Sequence, residues 1–122
     1  MKGVNVLNQK HDPFNDGFLF YGHNKTRLSP TKKAIGKEFT QSGFLAFTEM
    51  SARDQDYSLV DALGSTLDLK LKTMYPIHLE KKLLNKFIVR ISGIEYETIK
   101  IDRDRNKDTL FWYLQKVGEV IE

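Results

Sequence analysis

The sequence predicts an all-β protein, a small antiparallel β-barrel or sandwich of five to six strands with one inserted short helix and an extended N-terminal arm. Apolar stretches of strand length recur along the chain, separated by glycine, proline and charged turn residues. Leu67, Leu69 and Leu71 alternate with charged residues, which is the period of a half-buried strand. Helical spacing of apolar residues is clear in one segment, residues 52–63.

The N-terminal region differs in composition from the rest of the chain. Residues 1–16 are polar, contain Pro13 and follow neither the strand period nor the helix period, which predicts an extended arm. No internal repeat and no linker rich in glycine or serine divides the remainder. Residues 17–122 are therefore expected to form a single barrel domain around one core.

The first half of that domain is expected to contain two strands and a long loop. Asp16-Gly17 supplies a turn before an aromatic strand at residues 18–21, and a second strand is expected at 43–50. Residues 24–41 between them carry basic and turn-forming residues, which predicts a long loop. Loops of this length are usually functional or disordered.

The helix at residues 52–63 has recognisable start and stop signals. Ser51, followed three residues later by Asp54, is a variant of the capping box, and the acid suits the positive end of a helix. Gly64 is placed to end the helix in a left-handed conformation.

The second half of the chain is expected to be mostly strands. In the strand at 67–73 the leucines should face the core and Asp68, Lys70 and Lys72 the solvent, because a slip by one residue would bury three charges. Within residues 95–101 the apolar side of the strand changes, which predicts either a β-bulge or a strand covered on both faces. The other expected elements are a connector at 77–85 after Pro76 with a short helical turn, a hairpin of 87–91 and 94–102 around Ser92-Gly93, a charged turn at 103–108 and a final strand at 109–117.

The composition excludes several classes of function. The chain has no cysteine, so it has neither a disulfide framework nor a thiolate metal site. No apolar run has the length of a membrane span or a secretory signal, which predicts a protein of the cytoplasm with no membrane contact. His11, His23 and His78 are scattered, and no metal or phosphate-binding motif occurs. We therefore expect no enzymatic activity, no catalytic or metal-ligating residues and no cofactor.

The strand at 109–117 is apolar on both faces, although a small barrel needs only one apolar face. Leu110, Trp112 and Leu114 lie on one side. The other side could be buried by a neighbouring subunit or by the helix at 52–63, and packing favours neither alternative. The strand at 44–50 is similarly two-sided. The candidate subunit-interface residues are Phe44, Phe47, Phe111, Tyr113 and Val117.

The loop at 24–41 is basic, with no acid before Glu38. It could run along DNA phosphates, or it could simply be solvated, which the absence of interleaved aromatic residues between Lys25 and Lys37 favours. In a ring its charge would be multiplied by the number of copies. The candidate residues facing a channel or DNA are Lys25, Arg27, Lys32, Lys33, Lys37 and Arg53.

Four segments, in this order, resemble the head-tail joining proteins of long-tailed bacteriophages. These are Ser51-Ala52-Arg53-Asp54 opening a helix, the Leu-Asp-Leu-Lys-Leu-Lys-Thr strand at 67–73, Gly93-Ile94-Glu95-Tyr96-Glu97-Thr98-Ile99-Lys100-Ile101-Asp102, and the closing strand at 110–117. Together they cover about residues 43–117. No single motif is chemically unique, so the resemblance depends on their order.

The resemblance implies a small β-barrel that forms a ring, twelvefold in such proteins, below the portal and its adaptor in the virion neck. The ring would close the DNA channel after packaging and dock the tail, with the portal or adaptor and a tail-completion or tail-terminator protein as partners. It would be assembled in the host cytoplasm and could touch packaged double-stranded DNA without sequence preference. The plugging loop of the head-closure (stopper) members maps onto residues 51–64.

The helix predicted at residues 52–63 lies within this segment, departs from that pattern and puts the plug role of residues 51–64 in doubt. The basic loop is then the second candidate for the channel wall, and the arm at 1–16 could wrap a neighbour. Two alternatives remain open. One is a tail-completion or adaptor protein of the same neck, and the other is a monomeric nucleic-acid-binding barrel of the OB type.

Overall fold

The computed structural model describes residues 14–76, 87–104, 106 and 108–120. Within them, six antiparallel strands close into a barrel in the order β1-β2-β3-β6-β5-β4. The strands are β1 (Gly17–Leu28), β2 (Ala34–Met50), β3 (Leu69–Met74), β4 (Ile88–Ile91), β5 (Ile94–Asp104) and β6 (Thr109–Glu119), and helix α1 (Asp54–Ala62) lies between β2 and β3. The predicted fold class, all-β with one short inserted helix, is confirmed.

The barrel interior is filled by alternate residues of the strands. Leu110, Trp112 and Leu114 of β6 are fully buried, as the alternation in the sequence predicts. The indole Nε1 of Trp112 donates a hydrogen bond of 3.0 Å to the hydroxyl of Thr73, so the largest core side chain has its polar atom satisfied. The other core residues around them are Leu19, Tyr21, Phe47, Leu71, Phe87 and Val89.

The prediction of a long loop at residues 24–41 is wrong, because this region is part of a long β-hairpin. β1 continues to Leu28 and β2 begins at Ala34, so only residues 29–33 turn the chain. The Ser29 amide donates to the Lys33 carbonyl and the Lys32 amide to the Ser29 carbonyl, at 2.9 and 2.8 Å. The strands form because every residue from 22 to 28 pairs with one from 34 to 41, whatever the polarity of its side chain.

Helix α1 agrees with its prediction in position but not in its cap. It begins at Asp54, and Arg53, not Ser51, is the N-cap residue. The Arg53 amide donates a hydrogen bond of 2.9 Å to Oδ2 of Asp56, so the acid three residues into the helix satisfies the free backbone group. Gly64 ends the helix with φ +77°, the left-handed conformation expected of it.

The strand at 67–73 was expected to turn its lysines to solvent, and that expectation is wrong. Leu71 faces the core as predicted, but Lys70 and Lys72 are only 8% and 9% exposed. The outer face of β3 is covered, because α1 and the aromatic residues of β6 lie over it. Of the three charged residues in this segment, only Asp68, just before β3, is exposed.

The hairpin of β4 and β5 is confirmed around a two-residue turn. Ser92 and Gly93 have φ values of +49° and +80°, which fits the primed turns that favour tight hairpins. Ile99 of β5 has no partner in β6, since Thr98 pairs with Leu114 and Lys100 with Tyr113. This irregularity is a bulge, one of the two alternatives that the sequence left open, and it sends Ile99 to the α1 side while Ile101 packs against the core.

The remaining expectations concern the ends of elements and the connections between them. The turn predicted at 103–108 is shorter, because β5 extends to Asp104, and β6 continues to Glu119. Asp16, the last residue of the expected arm, is bonded to β2 through the Phe47 carbonyl and the Glu49 amide. Residues 1–13 of the expected N-terminal arm lie outside the described residues. The expected connector at 77–85, with its helical turn, lies outside them too.

Candidate assembly surfaces

The outer face of β3 and β6 carries a buried cluster of lysines and aromatic rings, which we call the lysine–aromatic cluster (Lys70, Lys72, Phe111 and Tyr113). The ammonium group of Lys70 lies 3.0 Å from Oδ2 of Asp56 on α1. It also lies 5.3 Å from the ring centre of Tyr113 and 5.5 Å from that of Phe111. Lys72 lies 5.9 Å from the Phe111 ring. These cation–π contacts and the ion pair compensate for the removal of the lysine charges from water.

Two groups in this region titrate away from their ordinary ranges. The pKa of Asp56 is lowered, first by the backbone hydrogen bond from Arg53 and then by the hydrogen bond and charge of Lys70, which together outweigh burial. Burial, reinforced by the carboxylate of Asp102, raises the pKa of Tyr113 to about 12. At neutral pH, Tyr113 of the cluster is therefore a neutral phenol, and Asp56 beside the cluster is a carboxylate.

The lowered pKa of Asp56 predicts a loss of stability in acid. The unfolded chain takes up the proton at a higher pH than the folded one, so this contribution is complete above the ordinary carboxyl pKa of about 4. It is lost as the pH falls through the lower folded pKa. Urea unfolding measured between pH 6 and pH 2 should show a smaller acid-dependent loss for Asp56→Asn than for the wild type. Equal losses would contradict the prediction.

Helix α1 covers much of the second apolar face of β6. Val60, Leu67 and Tyr113 form a buried cluster, against which Phe111 packs half-buried. Of the two alternatives left open by the sequence, intrachain cover by the helix therefore accounts for Phe111 and Tyr113. Phe47 is also buried, at 5% exposure in the barrel core. Phe47 and Tyr113 are therefore buried without a second copy of the chain, and Phe111 is buried in part.

The remaining interface candidates, Phe44 and Val117, are exposed, and Phe44 belongs to an aromatic patch. Its ring centre lies 6.0 Å from that of Phe18 and 6.1 Å from that of Phe20, and all three side chains point outward from the hairpin base. Phe18 and Phe20 were not among the sequence candidates. They alternate with the buried Leu19 and Tyr21. Because successive side chains of a strand point to opposite faces, the sequence could have assigned Phe18 and Phe20 to the outer face.

The basic residues of the hairpin project beyond the barrel. They lie on a segment that we call the arm (residues 25–38) from here on, which is distinct from the N-terminal arm expected at residues 1–16. β1 pairs with β4 only at residues 20–22, and β2 pairs with β3 only at 47–50. Within the described ranges, the strands of the arm therefore pair only with each other, and all but one of its residues are exposed. The arm carries Lys25, Arg27, Lys32, Lys33 and Lys37, and none of these side chains forms an ion pair with another described residue.

Arg53 is not brought together with the arm. It follows the opposite end of β2 and lines a groove of about 510 Å³ beside α1. Asp102, Arg103 and Asp104 line the same groove, so its charges are mixed. The arrangement groups five of the six basic candidates and separates the sixth from them.

Helix α1 presents a second surface that sequence reasoning did not single out, which we call the helix face (Asp54, Tyr57 and Asp61). The three residues follow the i, i+3, i+7 spacing of one helix side and are exposed, Tyr57 by 48%. The last turn of α1 contains Asp61 and no basic residue. The partial negative charge of the helix end is therefore reinforced, not neutralised, by its own side chain.

Within the part of the chain that is described, no three acidic, histidine or cysteine side chains are grouped to hold a metal ion. His23 packs its ring 5.0 Å from that of Phe87, whereas His11 and His78 lie outside the described ranges. None of the described helical residues forms a segment with the length and apolarity that crossing a bilayer requires. Comparison with protein-family models gave no match, and comparison with curated proteins gave none.

Proposed function

We propose that this protein is a non-enzymatic structural subunit of the head-tail connector of a long-tailed bacteriophage. Its copies form a ring below the portal or adaptor, close the DNA channel and dock the tail. The observation that carries the proposal is the arm: among the described residues, its strands pair only with each other and its five basic side chains form no ion pair. Such a segment adds little to the stability of one copy, which suits a role between molecules.

The order of the elements supports the same proposal. The Ser51-to-Asp54 segment leads from a strand into α1, residues 69–73 lie in β3, and the hairpin that begins at Gly93 precedes the closing strand β6. This is the order on which the resemblance to head-tail joining proteins depends. The segment equivalent to the stopper loop forms α1 and packs on the barrel. The arm is therefore the better candidate for the element that reaches into a channel.

The proposed location is the neck of the virion, after assembly in the host cytoplasm. The proposed partners are other copies in a twelvefold ring, the portal or adaptor on one side and a tail-completion or tail-terminator protein on the other. The prediction that the arm touches packaged double-stranded DNA stays a prediction. A tail-completion or adaptor role in the same neck is the nearest alternative.

Imaging of phage particles that are assembled without this protein tests the proposal. We expect negative-stain images of such particles to show tailless heads that have lost their DNA, because the channel is neither closed nor joined to a tail. Supplying the wild-type chain from a plasmid should restore full, tailed particles. Full, tailed particles in its absence would rule out the connector role.

A second candidate function, a monomeric nucleic-acid-binding barrel, is favoured by one observation, the net positive charge of the arm. Filter binding to single-stranded and duplex DNA over a salt series separates the two functions. A steep salt dependence together with monomeric sedimentation at all concentrations would favour the monomeric binder. Weak DNA binding by a chain that associates would favour the connector subunit.

A further inference from the structure

We infer that the arm of one copy docks on the helix face of the next copy, a contact that rests on the proposed function and would join neighbours in the ring. The inference begins with a separation of charge along the chain. Residues 22–37 contain five basic residues and no acid. Residues 54–69 contain four aspartates and no basic residue. The two segments are therefore electrostatically complementary.

Within one copy the two surfaces lie at opposite ends of β2. The arm ends at Glu38, and the strand then runs for about 40 Å to Met50 at the usual rise per residue. Met50 pairs with Lys70, whose ion pair with Asp56 holds the start of α1 at that end of the strand. The arm and the helix face of the same chain are thus kept apart.

The charges on both surfaces form no ion pair with any residue that the structure describes. Asp54 and Asp61 form no ion pair with the described residues, unlike Asp56, which is bound to Lys70. Asp61 also lies at the negative end of α1, where a cation is favoured. A lysine of the arm placed there would interact with both the carboxylate and the helix end.

Apolar side chains accompany the charges on both sides. Leu28 and Ile35 are 59% and 58% exposed on the arm, next to the turn. On α1, Tyr57 lies between the two aspartates of the helix face and is 48% exposed. The contact would bury apolar area together with the charge pairs, which a duplex DNA backbone would not do. This difference favours a second copy over nucleic acid as the occupant.

The geometry of the contact has a consequence for assembly. The two surfaces differ, so each copy would use its arm towards one neighbour and its helix face towards the other. Such head-to-tail contacts generate a ring when the rotation closes. The inferred contact is therefore of the kind that a connector ring needs.

Exchange of charge between the two surfaces tests the contact. One variant carries Lys32→Glu and Lys33→Glu, and the other carries Asp54→Lys and Asp61→Lys. Sedimentation in low salt should show concentration-dependent association of the wild type, and each variant alone should associate at least about tenfold more weakly because like charges then face each other. An equimolar mixture of the two variants should associate again, since each arm then finds an oppositely charged helix face. All four residues are exposed, and circular dichroism would verify that the variants fold.

Lys116→Glu, on the exposed part of β6, is the control for a charge change outside both surfaces and should associate like the wild type. A wild type that stays monomeric, or a mixture that associates no better than its components, would overturn the contact. Loss of duplex DNA binding in the arm variant with unchanged association would overturn it in favour of nucleic acid. In each of these cases, negative-stain imaging of phage particles made without the protein still tests the connector role independently.

Discussion

Replacement of Trp112 by alanine is expected to lower the free energy of unfolding by about 3–5 kcal/mol, among the largest effects of any single substitution in this chain. Trp112 is fully buried at the centre of the barrel, with ring centres of Tyr21 and Phe87 at 6.0 and 6.3 Å. Alanine would remove these contacts and leave a cavity that a closed sheet cannot fill by moving one strand. Urea unfolding followed by far-ultraviolet circular dichroism measures the loss without depending on the only tryptophan.

Two further variants separate the contributions of the Trp112 hydrogen bond and of burial to the stability. Trp112→Phe keeps an aromatic ring but removes the hydrogen bond to Thr73, and should cost about 1–2 kcal/mol. Val117→Ala, on the same strand but 53% exposed, should change the free energy of unfolding by no more than about 0.5 kcal/mol. A loss below about 1 kcal/mol for Trp112→Ala would mean that the centre of the barrel can collapse around the missing ring.

The interior of the barrel was predictable from sequence because its signals are local. Leu110, Trp112 and Leu114 recur every second residue, and that period assigns them to one face of a strand without knowledge of the rest of the fold. Ser92-Gly93 marks its hairpin in the same way, because the turn needs positive φ angles that few residue pairs adopt. Each of these features depends on neighbours within a few residues.

The arm could not be recognised in that way. Its strands are exposed on both faces, so the alternation of apolar and polar residues that marks a half-buried strand does not arise. What makes them strands is backbone hydrogen bonding between residues 22–28 and 34–41, which leaves no mark on the side chains. The same polar composition is typical of loops, and the sequence was interpreted accordingly.

The burial of Lys70 is a long-range effect of a different kind. In the sequence it is one charge in an alternating strand, and solvent is the ordinary surroundings of such a residue. Its burial is determined by α1, which brings Asp56 from 14 positions earlier in the chain, and by the rings of β6. The helix face was missed for the same reason, since the sequence could not show which side of α1 the barrel would cover.

The ion pair between Lys70 and Asp56 gives the second large effect. Asp56→Asn should lower the free energy of unfolding by about 3 kcal/mol, because it leaves the ammonium group of Lys70 buried without its counter-charge. The asparagine oxygen can still accept the Arg53 amide, so the helix cap is kept and the loss reports on the charge. Asp108→Asn is the matched control, because its ion pair with Arg103 is exposed and should be worth less than about 1 kcal/mol.

The double variant Asp56→Asn with Lys70→Met completes a double-mutant cycle. Methionine fills a similar volume beside Phe111 and Tyr113 without a charge, so the double variant should recover most of the stability that Asp56→Asn alone loses. Additive losses would show that Lys70 is stabilised by the aromatic rings and not by Asp56. A coupling of about 2 kcal/mol or more would show that the ion pair holds α1 against the barrel. Because the helix face is part of α1, that coupling would also link the stability of the barrel to the position of the surface inferred to receive a neighbouring arm.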